Sequence, residues 1–162
     1  MLPGYLLSKP LINVVAKLMT SARGRSIGFF IFCKGGMNMN ELLAVAVGGS
    51  IGAVSRYVTV NYIMDRWHCN WPWGTFAVNA AGCLVMGFLM VLITEKGLLP
   101  SYWRLLLCVG FLGGLTTFSS FSYESLTFLT EGNLLGAGAN IVASVLVGII
   151  FAWLGTVAAR SL

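Results

Sequence analysis

Apolar residues in this chain do not alternate or recur at every third or fourth place; they run on. Four such runs stand out, over residues 42–64, 74–93, 103–129 and 134–159. The first is interrupted by Arg56 and the third by Glu124, with Arg104 at its edge, while the second and fourth contain no charge. A bilayer core of roughly 30 Å is crossed by about 20 helical residues, so each run is long enough to span it. Trp67, Trp71, Trp73, Tyr102, Trp103 and Trp153 fall near the ends of the runs, where amphipathic rings prefer the membrane interface. The pattern predicts an all-α integral membrane protein with four transmembrane helices.

Composition supports this. The chain of 162 residues is 57% hydrophobic and 9% charged, against roughly 25% charged in a soluble domain. Too few charges remain to coat a globule in water, so the solvent is lipid. Charge also divides the chain. Residues 1–36 hold Lys9, Lys17, Arg23, Arg25 and Lys34 and no acid. From residue 37 onward Arg56, Arg66, Lys96, Arg104 and Arg160 balance Glu41, Asp65, Glu95, Glu124 and Glu131, so the net +5 belongs to the N-terminal segment. The expectation is a basic extension over 1–36 and a neutral membrane domain over 37–162. Met37 and Met39 just before the first run suggest that translation begins there; a basic segment lying on anionic lipid is the alternative. Without the extension one side carries Lys96, Arg104 and Arg160 and the other Arg66, a slight bias, so such a chain could insert either way up; with it, five more cations would push toward one orientation. Cys33, Cys69, Cys83 and Cys108 have no metal-like spacing with His68 and read as packing residues.

Polar residues inside the runs carry the rest. Gly48 and Gly52 share a helix face with Ser55 nearby, which permits close helix packing in lipid. Arg56 either bonds to backbone carbonyls or headgroups, or draws anions toward a vestibule. Thr75 and Asn79 form an i, i+4 pair in the second run, on a face that must meet protein or water. Gly136, Asn140, Ser144, Gly148 and Ala152 make a four-residue-spaced stripe in the last run, read as a polar track or a packing seam.

The third run is unusual. Gly113-Gly114 is followed by Thr116, Thr117, Ser119, Ser120 and Ser122, five hydroxyl residues in seven positions. That stretch makes a poor continuous helix, and a broken helix is expected there. Unwound backbone is tolerated at membrane depth only where it lines a cavity or binds an ion, and its carbonyls suit a cation such as Na⁺. Phe118 and Phe121 share a face of the second half, and their positive ring edges can solvate a small anion stripped of water, with neighbouring hydroxyls donating.

Three strings resemble the Fluc/CrcB fluoride channel family. They are Gly48-Gly49-Ser50-Ile51-Gly52-Ala53-Val54-Ser55-Arg56-Tyr57; Gly74-Thr75-Phe76-Ala77-Val78-Asn79 with Gly82; and Gly110-Phe111-Leu112-Gly113-Gly114-Leu115-Thr116-Thr117-Phe118-Ser119-Ser120-Phe121. The resemblance implies an antiparallel, dual-topology homodimer in the bacterial inner membrane, the third helix broken, with two fluoride pores and a central Na⁺. By position, the backbone carbonyls of Gly113 and Thr116 from each subunit would hold that Na⁺. Phe118, Phe121, Asn79, Thr75, Ser119, Ser122 and Ser144 would line the pore, with Arg56 near a vestibule. Glu124 falls on a polar position of the family. Two features depart from the family pattern: the basic extension, and Gly148 where some members have a hydroxyl.

The implied function is passive efflux of fluoride from the cytoplasm and so fluoride resistance. It needs no catalytic chemistry and no nucleic-acid partner. The rival is a small proton-coupled drug exporter of four-helix type, which needs a carboxylate within the membrane. Glu41 sits at the very start of the first run and Glu124 late in the third, so the middle of the first run holds no acid.

Overall fold

A computed structural model describes residues 38–67 and 70–162. The expectations for the basic segment over 1–36, and those for Met37, Cys33, His68 and Cys69, lie outside the described residues. The described residues form helices joined by short turns: α1, Met39–Arg66; α2, Trp73–Glu95; α3, residues 101–115; α4, Phe118–Thr130; and α5, Leu134–Arg160. Four segments are long and apolar enough to cross a membrane: α1, α2, Arg104–Thr130 and α5. Each contains or nearly matches one of the four runs in the sequence. The third crossing is made of two helices with a break between them.

Two stretches are wound more loosely than an α-helix. α2 is α-helical to Met90 and π-wound over Val91–Glu95, and α3 is π-wound over Arg104–Leu112. α3 then tightens into the short turn Gly113–Leu115 before the chain extends at Thr116. Short turns set the antiparallel order. Gly132 between α4 and α5 has φ +76°, a conformation natural to glycine. Asn133 then caps α5 by accepting from the Gly136 N–H at 2.8 Å.

Glycine contacts hold the crossings together. Gly48 and Gly52 on α1 lie directly against the carbonyls of Leu106 and Phe111 on α3. Gly110 and Gly114 of α3 lie in turn against the Val45 and Gly49 carbonyls, at 2.9 and 2.5 Å from where a β-carbon would be. Two four-residue glycine pairs therefore face one another, and the backbones touch. On the other side of the bundle, Gly87 of α2 meets the Ala152 carbonyl, and Gly155 of α5 meets that of Leu84. In lipid there is no hydrophobic drive between helices, so this close van der Waals fit is the main source of association. At its open end, Arg160 joins α5 to Glu95 of α2 through two hydrogen bonds of 2.9 and 2.6 Å, exposed on both sides.

A side chain at Gly52 has nowhere to go, because its β-carbon would meet the Phe111 carbonyl. Gly52→Val is expected to lose roughly 1–3 kcal/mol, the usual cost of overpacking. The loss should appear as early aggregation when detergent-solubilised protein is warmed and run on gel filtration. Gly138→Val, at a position with nothing within 4 Å, should behave as the wild type.

Candidate functional site

The break in the third crossing falls at two threonines. Thr116 (φ −81°, ψ 152°) and Thr117 (φ −146°, ψ 118°) are extended, while Gly113 and the turn it begins remain helical. The glycine pair thus serves the α1 contact, and the break lies just beyond it. Branching at the β-carbon makes threonine indifferent to helix and comfortable in extended backbone.

Asn79 of α2 fastens the extended residues. Its Oδ1 accepts from the Thr117 N–H at 2.8 Å, and its Nδ2 donates to the Thr117 carbonyl at 3.1 Å. In an unbroken helix the Thr117 N–H would go to the Gly113 carbonyl; here it goes across to α2 instead. The side-chain amide imitates a strand neighbour, satisfying both backbone groups of a buried residue. An amide nitrogen carries two hydrogens, so one remains for another acceptor. Thr117 also begins α4, its Oγ1 accepting from the Ser120 N–H at 3.2 Å. Gly82, one turn past Asn79, leaves room for the Thr116 methyl group, which a β-carbon there would strike.

The end of α3 finds a different partner. Arg56 reaches from α1, and its Nε donates to the Gly114 carbonyl at 3.1 Å. This carbonyl would be an orphan of the helix terminus, and the guanidinium satisfies it. Of the two readings of Arg56, bonding to backbone is the one the geometry displays. The same residue also lines a cavity of about 270 Å³ with Thr75, Thr117, Ser120 and Glu124. There Thr75 Oγ1 donates to Glu124 Oε1 at 2.5 Å, tying α2 to α4.

A second cavity, of about 350 Å³, lies on the other side of the break and gathers most of the remaining candidates: Asn79, Phe118, Phe121 and Ser144, with Cys83 and Met86. The two phenyl rings are 5.6 Å apart and inclined by 50°. Ser144 leans on Asn140, which is 1% exposed and donates to Ser125 at 3.0 Å. Ser125 bonds back to the Phe121 carbonyl at 2.8 Å, so Asn140 ties α5 to the turn of α4 that carries Phe121. Two predicted residues stand apart. Ser119 is exposed and sits 3.1 Å from Thr117 Oγ1, and the Ser122 hydroxyl is spent on the Phe118 carbonyl at 2.8 Å. Thr117 and Ser120, read only as members of the hydroxyl cluster, and Asn140, read as part of a polar track or a packing seam, are structural centres left out of the predicted site. The hydroxyl cluster drew attention to this stretch, but nothing in the sequence told that Thr117 Oγ1 would cap α4 or which residue Asn140 would meet.

A family model described as CrcB-like protein, Camphor Resistance (CrcB), matches residues 43–156. The chain belongs to the CrcB family. Among curated relatives, it is 41% identical over 124 residues to a fluoride-specific ion channel FluC of Geotalea uraniireducens, covering 76% of this chain and all of that protein. The FluC of Solibacter usitatus is 42% identical over 120 residues, covering 74% of this chain and 98% of the relative. That of Chloroflexus aurantiacus reaches 44% over 117 residues, covering 72% and 93%. The CrcB match spans from α1 into the last turns of α5 and so includes both cavities and the break between them.

Replacing the amide separates the two bonds at Asn79. Asn79→Asp removes the donor and sets a carboxylate against the Thr117 carbonyl. Leaving a buried polar group unpaired costs about 1–3 kcal/mol, more where charge is involved. The variant should unfold at lower temperature, and hydrogen exchange at the Thr117 and Phe118 amides should rise above the wild-type rate. Arg56→Gln should show a milder loss of stability from the same cause, at Gly114.

Proposed function

We infer that this chain is a fluoride-selective channel of the bacterial plasma membrane, giving passive efflux of fluoride and so resistance to it. One observation carries the reading: the interrupted third crossing, pinned by Asn79, sets two phenyl rings and an amide beside a cavity at membrane depth. Fluoride holds water strongly, so a path for it must replace that water with donors. The positive edges of Phe118 and Phe121 and the spare N–H of Asn79 supply such donors, and the Ser144 hydroxyl adds one by turning from Asn140 Oδ1, to which it donates at 3.5 Å. Thr75 and Arg56 extend polar character to the cavity on the other side of the break. No proton or group is transferred, so the protein is not an enzyme. Outside, in acid, neutral HF crosses lipid, and inside it dissociates. The anion then leaves down its gradient, aided by an inside-negative potential of about 2.3 kcal/mol per charge per 100 mV.

A drug exporter fits less well. The acids of α1 lie at its ends, Glu41 in the first turn and Asp65 in the last, and Glu124 is engaged by Thr75.

The working unit in this reading is a pair of chains in opposite orientation. Phe118, the first residue past the polar break, is 80% exposed in the single chain. A second copy laid over this face would cover it. We propose that such a pair would also hold a structural Na⁺. The Gly113 carbonyl has lost the donor an intact helix would give it, and Thr116 is extended, so both suit a hard cation. Two oxygens from one chain are too few to replace its water, and the partner would supply two more. The cation would neutralise carbonyls at the break and hold the two chains in register.

Purified protein in liposomes should release fluoride down its gradient far faster than chloride. Phe118→Ile should reduce fluoride release to the vesicle background while the protein still elutes as a dimer. Equal release of the two halides would overturn the selectivity, and full flux in the variant would place the path elsewhere.

A further inference from the structure

On the face of α2 turned away from the break lies a groove of about 700 Å³, formed with the end of α1 and with Phe151 of α5. Ala77 and Ala81 are each two positions from Asn79, which puts them about 200° around the helix from it. The groove is therefore separate from both cavities at the break. Its lining is almost wholly apolar, and the small residues Ala77, Ala80 and Ala81 leave a channel along α2 toward Leu84.

The mouth is different in character. Trp67 and Trp73 pack edge to face at 5.5 Å, and Trp73 and Phe76 likewise at 5.9 Å. Such a collar of rings belongs at the membrane–water interface. Beside it Arg66 closes the last turn of α1, its guanidinium 5.6 Å from the Tyr62 ring centre. Among the described residues Arg66 makes no ion pair. An exposed guanidinium held over a ring, at the head of an apolar channel and within an interfacial collar, matches one kind of molecule. It calls for a planar anionic acceptor joined to a hydrocarbon chain, and a phosphodiester headgroup meets a guanidinium in the bidentate manner an ammonium cannot.

We propose that this groove binds an anionic phospholipid, an acyl chain lying along Ala77, Ala81 and Leu84 and the phosphate paired with Arg66. The proposal does not depend on the fluoride reading. The test is native mass spectrometry of the full chain released from micelles that hold phosphatidylglycerol and phosphatidylcholine of equal chain length. Wild type should retain phosphatidylglycerol in preference, and Arg66→Gln should weaken that retention about tenfold, the worth of one charge-assisted bond. Phosphatidylcholine shares the phosphate but carries a compensating choline, so its retention should fall by less, and Arg66→Lys should recover part of the preference. Ala81→Trp should lose both lipids by filling the channel. Equal retention of the two lipids by wild type, or unchanged phosphatidylglycerol on Arg66→Gln, overturns the proposal. So does loss of a second copy of the chain in Ala81→Trp, which would make the groove a contact between subunits.

Discussion

Unsatisfied backbone is the expense that lipid does not forgive, and the pairing of Asn79 with Thr117 is where this chain meets it. Each bare N–H or carbonyl costs several kcal/mol in hydrocarbon. A break in a transmembrane helix is therefore possible only if something else takes over the lost bonds. One amide on α2 satisfies both groups of Thr117, and Arg56 on α1 takes the Gly114 carbonyl. Everything polar near the bilayer centre follows from that. The cavities exist because the helix stops, and the helix can stop because two neighbours hold its ends.

Close packing makes those two reaches short enough. The facing glycine pairs of α1 and α3 bring Arg56 to the end of α3, since a side chain at Gly48, Gly52, Gly110 or Gly114 would push the backbones apart. On α2, the absence of a side chain at Gly82 lets Thr116 sit beside Asn79. Asn140, Ser125 and the Phe121 carbonyl form a third tie, from α5 into α4. The site is thus a consequence of the fold's tightness, and its polar bonds and its glycines act as one arrangement.

Hydropathy alone located the four crossings, because a run of apolar residues of membrane length has few other uses. An interruption in the third was also legible, from glycines and hydroxyls crowded into a few positions. Its cause was not. Gly113 and Gly114 stay helical and serve a neighbour, and the chain opens at Thr116 and Thr117. Composition marks a segment as weak without saying which bond will be given up, since that is decided by Asn79, 38 residues away. The π-winding of Arg104–Leu112 left no trace in the pattern either. The stripe on α5 divides between the two readings it allowed. Asn140 and Ser144 are polar ties near the cavity, while Ala152 is a packing surface for Gly87.

Because α4 begins at Phe118, just past its cap Thr117 and near the middle of the third crossing, its N-terminus points into the bilayer interior. Aligned peptide units leave roughly half a positive elementary charge at such an end. In a medium of low dielectric constant that partial charge favours an anion, and it comes without a lysine or arginine having to be buried. It also carries no dissociable proton. This share of the attraction therefore stays constant when acid stress drives fluoride into the cell, the condition in which exit is most needed.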